Sequence, residues 1–133
     1  MVKVKFCGLK RPCDIVWANE LRPDYAGFVF AGKKRRVSDD QAVALRKALD
    51  PSIPAVGVFV DDSLEHIGQL VTAGTIQIVQ LHGCEDDAMI EAVQQTLKVR
   101  VIKAFSIASE ADVRQARCSR ADYILLDHGA GGT

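Results

Sequence analysis

Six short apolar segments alternate with five helix-period segments along this chain, with no break in the alternation. The apolar runs are Val2–Cys7, Tyr25–Phe30, Ala55–Phe59, Ile76–Leu81, Val99–Ala104 and Tyr123–Asp127. Between them, apolar positions recur at helical spacing over Pro12–Leu21, from Ser38 to about Leu49, and over Ser63–Ala73, Asp86–Leu97 and Ser109–Arg117. The helix starts are marked. Ser38, Ser63 and Ser109 stand where an N-cap hydroxyl is wanted. Pro12 stands in a first turn, where a missing N–H costs little. Gly74 follows a helix end. Strands joined one after another by helices make parallel crossovers, so the pattern predicts an α/β protein with a parallel sheet.

Two architectures fit that pattern. An open, doubly wound sheet is comfortable with five or six strands. A (β/α)₈ barrel needs eight units and ~250 residues, whereas this chain has 133. Counting alone favours the open sheet. The residues at the strand ends favour the barrel. The first strand ends in Cys7 and the sixth in Asp127, and reactive side chains at the carboxyl ends of different strands are what a barrel enzyme uses.

Composition narrows the function classes. Seventeen basic and seventeen acidic residues cancel, which gives no reason to expect nucleic acid or an anionic membrane as partner. No apolar run approaches the ~20 residues of a membrane span. Lys3 and Lys5 interrupt the first apolar stretch, so no signal peptide is read there. The cysteines Cys7, Cys13, Cys84 and Cys118 are scattered and form no CxxC. Reduced thiols in a cytoplasm are therefore expected.

The strand ends form an ordered series of motifs: F-C-G-L-K-R-P at Phe6 to Pro12, G-F-V-F at Gly27 to Phe30, and R-R-V-S at Arg35 to Ser38. V-G-V-F-V follows at Val56 to Val60, then Q-L-H-G at Gln80 to Gly83, I-K-A at Ile102 to Ala104, and L-L-D-H-G-A-G-G-T at Leu125 to Thr133. This series resembles the phosphoribosylanthranilate isomerases, TIM-barrel enzymes of tryptophan biosynthesis. The resemblance covers the whole chain and matches the family's first six β/α units. It implies a single barrel domain over residues 1–133, C-terminally truncated relative to the family, with strands seven and eight absent.

The resemblance also implies a reaction, an Amadori rearrangement of N-(5-phosphoribosyl)anthranilate that needs no cofactor. By resemblance Cys7 is the general base and Asp127 the general acid. Arg35, with Arg36 as the alternative, binds substrate. A thiol is a base only as its thiolate, and Lys10 and Arg11 follow closely enough to supply positive potential. A carboxyl donates a proton near neutrality only in a desolvated setting, and Asp127 follows an apolar run. Gln80 and His82, two residues apart on one strand, share a face and are expected to line the barrel interior as substrate-binding residues, with a hydrogen-bonded structural role as the alternative for His82.

Other features have plainer readings. The run Lys33-Lys34-Arg35-Arg36 has no interleaved aromatics and reads as a solvated loop, apart from one substrate-binding Arg. His82 and Cys84 lack a second ligand pair, so no metal site is expected. His66 reads as surface, Cys13 and Cys118 as packed, and Trp17, Phe59 and Phe105 as core or rim. Gly129 to Thr133 reads as a flexible loop rather than an anion nest. Strands one and six would expose unpaired edges, and a second copy of the chain or a complementing fragment are the candidates to cover them. The readings in contention are thus the isomerase, a catalytically incompetent fragment that self-associates, and a different phosphate-binding α/β protein. The last is the weakest, because no GxGxxG or P-loop follows strand one.

Overall fold

The computed structural model describes residues 2–128, so the glycine-rich Gly129–Thr133 lies outside the described residues. The element order is β1 (Lys5–Phe6), α1 (Pro12–Leu21), β2 (Tyr25–Val29), α2 (Asp39–Ala48), β3 (Ala55–Phe59) and α3 (Leu64–Thr72). It continues with β4 (Ile78–Leu81), α4 (Asp87–Leu97), β5 (Arg100–Ile107), α5 (Glu110–Arg117) and β6 (Tyr123–His128). All six strands are parallel and pair in sequence order, β1-β2-β3-β4-β5-β6. Sequential order is barrel order, because a doubly wound sheet reverses its strand order at a switch point. The barrel reading therefore replaces the one favoured by counting.

The caps expected from sequence are present. Ser38 accepts from the Gln41 N–H at 3.1 Å, and the Gln41 side chain accepts from the Ser38 N–H at 2.9 Å. Ser63, Asp86 and Ser109 cap α3, α4 and α5 by accepting from the N–H three residues on, and Asp112 completes a reciprocal box with Ser109, each such cap contributing about 1 kcal/mol. Gly74 takes a positive φ of 75° just past α3, a conformation that costs glycine nothing.

The core lies between the sheet and its helices. Phe28 and Phe59 from the strands meet Ile15, Ile67, Ile90 and Val93 from the helices, all buried, and each such side chain contributes roughly 1.5–3 kcal/mol of transfer free energy. The other face of the sheet is concave, and two contacts show its curvature. Lys5 on β1 donates to Gln80 Oε1 on β4, and His82, just past β4, reaches Asp127 on β6. Packing thins toward the last strand. No residue of β6 is fully buried, and Ile124 and Leu126 are 41% and 61% exposed. Val2 and Val4 are exposed at the β1 end. Both sheet edges thus carry exposed apolar side chains among the described residues.

Several boundaries depart from the sequence reading. β1 is only two residues long, because Gly8 and Leu9 turn inward and donate together to the Gly27 carbonyl. Cys7 therefore sits just past the strand. β4 starts at Ile78 rather than Ile76, since the Gln77 side chain is committed to the preceding turn, donating to the Gly74 carbonyl and accepting from the Ala55 N–H. β5 continues to Ile107, in register with β6 up to the Ile107–His128 pair. Cys13 and Cys118, expected to be packed, are exposed. Trp17 is 52% exposed, with the Arg11 guanidinium 5.9 Å from its ring centroid. No helix among the described residues is long and apolar enough to cross a membrane.

Candidate active site

Side chains alternate across a strand, and register fixes which residues share the concave face. Val58, Gln80, Ile102 and Tyr123 are successive partners across β3, β4, β5 and β6. Asp127 lies an even number of positions beyond Tyr123, and His82 two beyond Gln80, so both share that face. On β1, Lys5 and Cys7 share it too. The residues singled out from sequence therefore gather at the carboxyl ends of β1, β4 and β6, together with Lys5.

Cys7 rests on Gly27 of β2. A Cβ at position 27 would stand 3.2 Å from both Cys7 Cα and Cys7 Sγ, so only glycine leaves the thiol its full room. Gly8, at φ +78°, makes a second close approach, since a Cβ there would come within 2.6 Å of Arg35 Cδ and 3.1 Å of Arg35 Nη1. The Arg35 side chain thus lies across the backbone next to Cys7. Arg36, the alternative, lines a separate cavity of about 620 Å³ with Phe30, Asp39 and His66. Of the two arginines, Arg35 is the one beside the thiol.

Lys10 and Arg11, the residues expected to supply positive potential, have partners of their own. Lys10 Nζ donates to the Lys34 carbonyl at 3.3 Å, and Arg11 pairs with Asp14 at 3.0 Å. Lys5 shares the face of Cys7, and Arg35 lies across the backbone of Gly8. Burial pushes the Lys5 ammonium below its ordinary 10.5, Cys7 pulls it back up, and Arg35 pushes it further down. Sequence reasoning saw Lys5 only as an interruption of an apolar run. Its period-two spacing from Cys7 was the available signal.

At the other end of the site, His82 Nε2 lies 3.3 Å from Asp127 Oδ2, and the two side chains are 28% and 31% exposed. The second Asp127 oxygen accepts from the His128 N–H at 2.8 Å. Both groups are thus reachable by a ligand while fixed in orientation. Gln80, below them, is 2% exposed.

The loop that carries His82 is held by a buried cluster that sequence did not reveal. Lys103 Nζ donates to the Gly83 carbonyl at 2.7 Å and to Glu85 Oε1 at 3.1 Å. The same Glu85 oxygen accepts from the Gly83 N–H at 2.8 Å, and Oε2 accepts from the Asp61 N–H at 2.9 Å. Burial would raise the Glu85 carboxyl, but the Asp61 N–H and Lys103, among other partners, hold it below its ordinary value. His66 is also no plain surface residue. Its Nδ1 meets Asp62 at 2.7 Å, its Nε2 meets Asp39 at 2.9 Å, and its ring stands edge-on to Phe30 and Phe59.

Comparison with known proteins places this arrangement. The family model for N-(5'-phosphoribosyl)anthranilate (PRA) isomerase matches residues 4–133. The N-(5'-phosphoribosyl)anthranilate isomerase of Endomicrobium trichonymphae is 43% identical over 127 residues, covering 96% of this chain and 62% of that protein. The enzyme of the same name from Clostridium kluyveri is 39% identical over 133 residues, covering 100% and 65%. The chain therefore spans less than two thirds of the length of these curated relatives. Among solved structures, the Thermotoga maritima phosphoribosylanthranilate isomerase superposes with a TM-score of 0.89 at 32% identity, covering 100% of this chain and 64% of that one. A phosphoribosylanthranilate isomerase in complex with reduced 1-(o-carboxyphenylamino)-1-deoxyribulose 5-phosphate superposes at 0.87 with 34% identity, covering 96% and 66%. A barrel built in sequence order, with the C-G and L-D-H motifs at the ends of β1 and β6, agrees with all of these, and the chain belongs to the N-(5'-phosphoribosyl)anthranilate isomerase family.

Proposed function

We propose that the protein takes part in tryptophan biosynthesis as the isomerase that converts N-(5-phosphoribosyl)anthranilate to 1-(2-carboxyphenylamino)-1-deoxyribulose 5-phosphate. The observation that carries this reading is the gathering of Cys7, Gln80, His82 and Asp127 on one concave face of a chain of this family. The solved relative with a reduced product analogue bound supports it.

In this reading Asp127 protonates the furanose ring oxygen. The C1–O bond breaks and the anthranilate nitrogen lone pair forms the C1=N imine. The Cys7 thiolate then removes the proton from C2. The released electron pair becomes the C1=C2 bond, and the imine electrons return to nitrogen. The enolamine takes a proton at C1 as its C2 hydroxyl becomes the ketone, so atoms and charge balance without an added reactant. Arg35 holds an anionic group of the substrate, and Gln80 and His82 line its path. Acid and base delivered from different strand ends can act on different atoms of one sugar.

In barrels of this type the phosphate is commonly bound by loops after strands seven and eight. The described strands are six, and residues 1–133 form one domain that supplies the acid and base. The exposed edges at β1 and β6 are covered by a second copy or by a complementing segment. A dimeric phosphoribosylanthranilate isomerase is known from Thermotoga maritima. The reading places the enzyme in the cytoplasm.

A second reading has its own observation. Leu126, 61% exposed on the edge strand β6, favours self-association of a form without turnover. Sedimentation across a dilution series separates the two. Substitution tests the chemistry: Cys7→Ser and Asp127→Asn should each lower turnover by about a hundred- to ten-thousand-fold with circular dichroism unchanged. Turnover that survives both changes would overturn the assignment.

A further inference from the structure

The mechanism above leaves Lys5, a charged side chain on the concave face, without a task. Lys5 projects from β1 on the same face as Cys7, two residues before it, and donates to Gln80 Oε1 across the curve of the sheet. A half-buried lysine is costly, since ammonium groups are rarely taken from water without a partner of opposite charge. Gln80 is neutral and cannot be that partner. Arg35, the other cation beside Cys7, makes the cost larger. Of the groups acting on Lys5, only Cys7 favours its charged form. A thiolate at Cys7, two residues on along the same face, supplies the opposite charge that Gln80 lacks.

We propose that Lys5 is a positioning residue for Cys7: held in place by the buried Gln80, its ammonium is the fixed counter-charge of the Cys7 thiolate. Gln80 is then more than a lining residue. Its amide sits 2% exposed on β4, where packing fixes its orientation, and it holds the lysine ammonium on the concave face that Cys7 shares. Arg35 is left to the substrate.

This inference rests on the reading of Cys7 as the base, but its test needs no substrate. Alkylation of each cysteine by iodoacetamide at neutral pH is followed by peptide mass spectrometry in the full chain. The exposed Cys13, Cys84 and Cys118 serve as internal standards. Lys5→Met should slow alkylation at Cys7 by about tenfold and leave the other three unchanged. Anionic iodoacetate should lose more than neutral iodoacetamide, because the ammonium also attracts the reagent. Lys5→Arg should retain most of the rate. Circular dichroism on each variant separates this loss from unfolding, which would bring all four cysteines to a common rate. If Lys5→Met unfolds, Lys5→Gln, which keeps a donor for Gln80 without the charge, decides the matter. Cys7 alkylation as fast in a folded Lys5→Met or Lys5→Gln chain as in the parent would overturn the proposal. Turnover surviving Cys7→Ser would instead overturn the assignment of the base and leave the alkylation result standing.

Discussion

His82 Nε2 stands 3.3 Å from Asp127 Oδ2, a contact that runs from the end of β4 to β6 and passes over β5. The His82 N–H donates to the Phe59 carbonyl at 2.8 Å, so the backbone that presents the ring is fixed from a third strand. His82→Ala should therefore lower kcat by about tenfold, ~1.4 kcal/mol of barrier, through loss of the polar group that faces the acid. His82→Gln, which keeps a donor near the same place, should recover part of it. Steady-state kinetics on both variants decide this, and equal kcat in all three proteins would show that the contact is idle.

Glycine at positions 8 and 27 should matter for different reasons. Gly8→Ala combines a left-handed φ of +78° with a clash at 2.6 Å against Arg35, and should cost about 1–2 kcal/mol of stability while displacing the arginine and raising KM. Gly27→Ala meets the Cys7 sulfur at 3.2 Å, where a few tenths of an ångström of movement suffices. It should change stability little and reduce kcat instead. Urea melts set beside kinetics separate the two outcomes.

The Glu85–Lys103 pair should behave as a buried ion pair. Its side chains are 3% and 5% exposed, so Lys103→Met leaves an uncompensated carboxylate and should cost about 3–5 kcal/mol. Replacing both, as Lys103→Met with Glu85→Gln, should cost less than the single change. Because the Glu85 carboxyl titrates below its ordinary 4.5, its contribution is complete above that value and is lost as pH falls through the lower folded value. Chemical denaturation of the single and double variants from pH 3 to pH 7 checks both statements.

His66 gives the opposite pH sign. Hydrogen bonding to Asp39 raises it from 6.5 against the effect of burial, with Asp62 adding to the rise. A raised histidine contributes stability that is full below 6.5 and is lost as pH climbs through the folded value. The parent chain should therefore lose stability relative to His66→Gln between about pH 6 and pH 8. Thermal melts of the pair across that range test it, and a constant difference would refute it.

Much of this was legible in the chain because α/β alternation and capping are local. Ser38, Ser63 and Ser109 announce their helices by position alone, and Cys7, Arg35, Gln80, His82 and Asp127 stand out through ordered motifs. What escaped was set by register and curvature. Counting units points to an open doubly wound sheet, the strand-end motifs point to a barrel, and the pairing order bears out the motifs. Lys10 and Arg11 are near Cys7 in sequence, yet turn geometry directs them to Lys34 and Asp14, and Lys5 is the lysine on the concave face. The cluster of Asp61, Glu85 and Lys103 joins three separate loops and strands, a meeting no single window of sequence contains. His66 looked exposed because helical periodicity cannot see the aspartates that arrive from α2 and from the loop before α3.

The most direct measurement is turnover of phosphoribosylanthranilate, followed as loss of anthranilate fluorescence. The 133-residue chain would be assayed alone and mixed with the part of the Clostridium kluyveri relative that it does not match. The account predicts turnover in at least the mixture, abolished by Cys7→Ser and by Asp127→Asn in this chain. A folded mixture without turnover, or turnover indifferent to both substitutions, would contradict it.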